Sequence, residues 1–119
     1  MTPPPSKNVS DTTIRALFNS GGYYERINRG DYNLKVKKRL APEGIQELFG
    51  PGTLTVSTEA FDKETNFKLI KTHHYESAEG KILVRNRSTG IVYTNGKMDP
   101  KRLFHEGMLY HYDESIIDE

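Results

Sequence analysis

The stretch DYNLKVKKRL at residues 31–40 constrains the fold more than any other, because apolar and basic side chains alternate along it with the two-residue period of a β-strand. In extended backbone Tyr32, Leu34, Val36 and Leu40 fall on one face, and Lys35, Lys37 and Arg39 fall on the other. Slipping the register by one residue would bury three cations, each at a large desolvation cost. Leu34 and Val36 are therefore expected to face a core, and the three cations to face solvent.

The segments around this strand supply its partners. Ser10 or Asp11 can cap a helix in which Ile14, Leu17 and Phe18 recur at helical spacing, with Gly21 and Gly22 as its stop. APEGIQELFG at 41–50 places Pro42 at a tolerated first position and Gly50 after the last turn, which predicts a second short helix. Asp99 and Pro100, followed by KRLFHE and Gly107, carry the same start and stop signals and predict a third. Strands are predicted over 53–61, 66–76, 81–87, 91–94 and 108–112, with Asn95-Gly96 suited to a tight turn. These elements describe an α+β domain of five to six antiparallel strands, in a bent sheet or small barrel, with two or three short helices in the connections.

A chain of 119 residues holds one core. Residues 1–9 contain Pro3, Pro4 and Pro5 and little apolar area, so a flexible tail is expected there. A single domain then spans 10–112, and an acidic tail spans 113–119. The absence of cysteine excludes disulfides, thiol nucleophiles and Cys-ligated zinc, and fits a reducing compartment. The start resembles no secretory leader, and no run of about 18 apolar residues occurs, so a soluble, cytoplasmic protein without a membrane partner is expected. The sequons at Asn8 and Asn86 and the Arg29-Gly30-Asp31 tripeptide are read as chance matches, the last as a turn.

The formal net charge of +1 conceals a division along the chain. Residues 23–39 carry six basic and two acidic side chains, 40–80 three and seven, 81–102 six and one, and 103–119 none and five. Arg26, Arg29, Lys35, Lys37, Arg39, Arg85 and Arg87, with Lys97, Lys101 and Arg102 after them, would form a basic surface if their segments meet. Tyr75, Tyr23 or Tyr24 would offer rings on which bases stack. Alternating charge is also what any half-solvated strand shows.

The most chemical stretch is KTHHYES at 71–77. His74 and Glu76 share a strand face and could serve as a general acid and base pair, with Arg85 or Arg87 steadying a phosphate. Such a set suits metal-independent cleavage of RNA. The plainer reading makes His74 and Glu76 solvated residues on the outer face of a hairpin. His105, Glu106 and His111 match no common metal-ligand spacing, and the Walker, dinucleotide and serine-elbow motifs are absent, so no metal or cofactor is expected.

Three classes remain. The leading expectation is a small non-enzymatic binding domain or regulator whose basic sheet face engages nucleic acid or an acidic protein surface. The alternatives are a metal-independent ribonuclease or toxin-like domain using His74, Glu76, Arg85 and Arg87, and a protein-interaction subunit or inhibitor acting through the acidic, apolar DESIIDE tail.

Overall fold

The computed structural model describes residues 3–85, 92–93 and 98–116, with residues 84, 85, 92 and 93 described by backbone alone. The first helix, α1 (Asp11–Ser20), starts where the sequence offers a cap: the Ser10 hydroxyl accepts from the Thr13 backbone N–H at 3.2 Å. Asp11 in its first turn pairs with Arg15 at 3.0 Å. Ile14 and Phe18 form the buried stripe. Gly22 takes φ +66, which a side chain would strain, and a Cβ on Gly21 would run into the Tyr23 ring. This tight corner sends the chain into α2 (Tyr23–Asn28), which buries Tyr23 and Ile27. The sequence reading placed no helix there.

Around these helices run β1 (Ser6–Val9), β2 (Asn33–Leu40), β3 (Leu54–Phe61), β4 (Lys68–Glu76), β5 (Ile82–Arg85), β6 (Val92–Tyr93), β7 (Asp99–His105) and β8 (Met108–Tyr112), with α3 (Glu43–Phe49) between β2 and β3. The strand order is β1-β8-β7-β4-β3-β2, with β5 paired to β4 and β6 to β5. The sheet is mixed but mostly antiparallel, because only β1 pairs parallel to its neighbour, β8. Its path ends at β1 and β2, so among the described residues the sheet is open and not a barrel.

α1 lies across β7 and β8, and α2 packs against α1. Both cover one face of the sheet, where Val9, Ala60, Ile70 and Leu103 meet Ile14, Phe18, Tyr23 and Ile27. The opposite face carries no described helix along β2, β3 and β4 beyond Phe49 of α3, whose ring lies 5.4 Å from that of Tyr75.

Four expectations are corrected. Residues 99–105 are a strand, not a helix: tertiary pairing on both sides, with β4 and β8, outweighs the local helix signals. Pro100 is accommodated because the β4–β7 register shifts beside it, between Lys71 and Thr72. The proline-rich start is not a tail throughout, since Ser6–Val9 pair with Leu109–Tyr112 and bury Val9. The backbone N–H groups of Leu109 and Asp113 donate to the Pro5 and Val9 carbonyls, each at 2.9 Å. Leu34 and Val36 do lie in register with inward-facing Ala60 and Thr58, yet they are 44% and 49% exposed. The helices cover the β7–β8 side of the sheet and do not reach β2, so alternation fixed the face but not its burial. The fourth correction concerns His74 and is described with the site.

Candidate anion-binding face

Strand register assembles the helix-free face row by row. Lys35 pairs with Glu59, which pairs with Lys71 and then Arg102; Lys37 pairs with Ser57 and then His73; Arg39 pairs with Thr55, Tyr75 and then Leu83. Side chains in one row point the same way, so two strands, β2 and β4, deliver Lys35, Lys37, Arg39 and Lys71 to one surface. This surface holds a groove of about 990 Å³, whose lining includes Lys37, Arg39, Lys71, His73, Tyr75 and Lys101.

Few carboxylates answer these cations. Among the described residues Glu59 is the one acidic residue in the lining; Lys68 already binds it, and that hydrogen bond, with the nearby charges of Lys71 and Lys35, holds its carboxyl below the usual carboxylate range. Lys101 is also engaged, 3.1 Å from Asp99 Oδ2 and 4.2 Å over the Tyr112 ring. Asp99 is buried, and burial raises its pKa against the lowering effect of Lys101 and Arg15. Arg15 Nη2 lies 3.2 Å from its Oδ1 as an ion pair without an aligned hydrogen bond. Among the described residues, Lys35, Lys37, Arg39 and Lys71 form no ion pair.

The groove also holds rings and hydroxyls. The His73 and Tyr75 rings stand perpendicular at 4.9 Å. Beside them, Ser57 and Thr55 line the wall, and the buried Thr55 hydroxyl has no hydrogen-bond partner among the described residues. Cations and ring faces together can hold an anionic chain.

The other sequence candidates are dispersed. Arg26 sits on α2, on the helical side, its guanidinium 5.1 Å from the centre of the Tyr23 ring. Arg29 closes a short-range pair with Asp31 at 2.7 Å. Neither joins the groove. The backbone of Arg85 ends β5, while its side chain and all of Arg87 lie outside the described residues. His105 shares a 2.8 Å hydrogen bond with the Tyr23 hydroxyl, and His111 pairs with Arg102 on β8.

His74 and Glu76 share a face, as alternation requires, but it is not the outer one. His74 is in register with buried Val56 and is only 5% exposed. Burial lowers its pKa, against a smaller raising effect from Glu76. Glu76 is held by Lys38 at 3.1 Å. At 5% exposure little of the His74 ring is open to a substrate, and Lys38 occupies Glu76, so the outer, solvated position expected for the pair is not where His74 lies. Alternation alone leaves open which face of a strand is inward, and in HHYE each face has one imidazole. His73 and Lys71 were missed for that reason, although the period-two pattern from Lys71 through His73 to Tyr75 carried the signal.

No protein-family model, curated protein or solved structure matches the chain.

Proposed function

We propose that this protein is a small binding domain that takes an anionic partner, nucleic acid or an acidic protein segment, on the helix-free face of its sheet. The observation that carries the reading is the set of four cations, Lys35, Lys37, Arg39 and Lys71, gathered from two strands around one described carboxylate, Glu59, which Lys68 already binds. Four cations that share one carboxylate still repel one another, so a role in meeting outside charge accounts for them. Tyr75 and His73 add surfaces for stacking or packing.

Fluorescence anisotropy with a labelled single-stranded RNA of roughly 12 nucleotides, and separately with poly-glutamate, tests this at low salt. Binding to at least one is expected, weakening steeply as salt rises. Lys37→Glu combined with Lys71→Glu should lower affinity by about tenfold or more and flatten the salt dependence. Absence of binding to both polyanions at low salt overturns the reading. Preference for RNA over poly-glutamate at equal charge assigns the face to nucleic acid, and the reverse assigns it to protein.

A further inference from the structure

The edge of the sheet beside the groove is unprotected. β2 ends the strand order, and no described strand lies beyond it. All eight of its residues are exposed, and its register with β3 runs from Asn33 to Leu40 without a bulge. An edge of this length offers a continuous row of backbone donors and acceptors. Leu34, Val36 and Leu40 stand exposed on one side of the strand, Lys35, Lys37 and Arg39 on the other.

We propose that β2 takes up an extended segment of a partner protein in which apolar and acidic residues alternate, adding a strand to the sheet. This inference rests on the reading that the helix-free face meets an anion, and names the partner. Three features choose the occupant. Side chains on one strand face recur every ~6.7 Å, so carboxylates at every second position of a paired strand fall opposite Lys35, Lys37 and Arg39 in turn. The intervening apolar residues of the same strand then cover Leu34 and Val36, which the domain's own helices leave open. A second copy of this chain is disfavoured, because antiparallel pairing centred on Lys37 would set Lys37 against Lys37 and Lys35 against Arg39.

The test compares two eight-residue peptides of equal composition, one alternating valine and glutamate and one with the valines and glutamates in separate blocks. The alternating peptide is expected to bind about tenfold tighter or better, and to slow hydrogen exchange at β2 amides. Methylating its backbone nitrogens on the edge-facing side should abolish binding, while methylating the opposite set should not. Leu34→Asn with Val36→Asn should weaken the alternating peptide and leave poly-glutamate unaffected. Equal affinity for the two peptides, with poly-glutamate or RNA still bound, overturns strand addition while the anionic reading stands. Failure of every polyanion overturns both. Self-association through β2, seen by sedimentation without peptide, also overturns the proposal.

Discussion

At the scale of single residues, His74 shows how one buried titratable group sets a pH dependence. Its pKa is lowered in the folded protein by burial, whereas in an unfolded chain it lies near 6.5. Between the two values the unfolded chain binds more protons, so stability is full above about pH 6.5 and falls as the pH drops below it. Asp31, Glu59, Asp62 and Asp113 act lower down. Their carboxyls are held below the usual range by hydrogen bonds from Arg29, Lys68, Thr65 and Ser115, so the stability they lend is lost only as the pH falls below roughly 4. His74→Leu should flatten the loss of stability that begins as the pH falls below about 6.5, while keeping the acid limb below roughly 4. Chemical denaturation at stepped pH reads this directly. An unchanged slope in the upper window would place His74 in contact with solvent.

At the scale of elements, β1 is where sequence and fold part most clearly. Three prolines and polar neighbours carry no strand period, yet Ser6–Val9 complete the sheet because β8 presents an open edge to them. Parallel pairing between the two ends of a chain leaves no local trace in either segment. Deleting residues 1–9 should therefore lower the melting temperature by roughly 5–15 °C, from the loss of Val9 burial and of the β1 ladder. Deleting only residues 1–4 should cost little, since the Pro5 carbonyl and the strand remain. Thermal melts followed by circular dichroism separate the two, and equal melts would mean that the β1–β8 pairing adds nothing in solution. Elsewhere the elements were legible where a local period or cap decides them: α1 from Ser10 and its Ile14–Phe18 stripe, β2, β3 and β4 from alternation and β-branching. They were not legible where tertiary pairing overrides local preference, as at Asp99–His105, or where a six-residue helix is set by a glycine corner, as at Tyr23–Asn28. The groove was half legible: Lys37, Arg39 and Tyr75 line it and Lys35 shares their face, while Arg26 is on the helical side and Arg29 is paired with Asp31.

At the scale of the whole molecule, an almost neutral chain has sorted its charge by face. Some of its acids are taken up in pairs away from the helix-free face, as in Asp11 with Arg15, Asp31 with Arg29 and Glu76 with Lys38, while β2 and β4 keep cations on one surface. Like charges a strand's spacing apart repel, and the repulsion is screened once the Debye length shrinks below their separation. Replacing Lys37, Arg39 and Lys71 together by glutamine should raise the melting temperature by roughly 2–5 °C at ~20 mM salt. The gap to the wild type should narrow as salt approaches ~500 mM, where the Debye length is only a few ångströms. The same variant should lose its affinity for polyanions, so that stability and binding move in opposite directions, as expected where surface charge is held for recognition and not for folding. A variant less stable than the wild type at low salt would show these cations to be satisfied within the fold, and the face would then have no charge to spare for a partner.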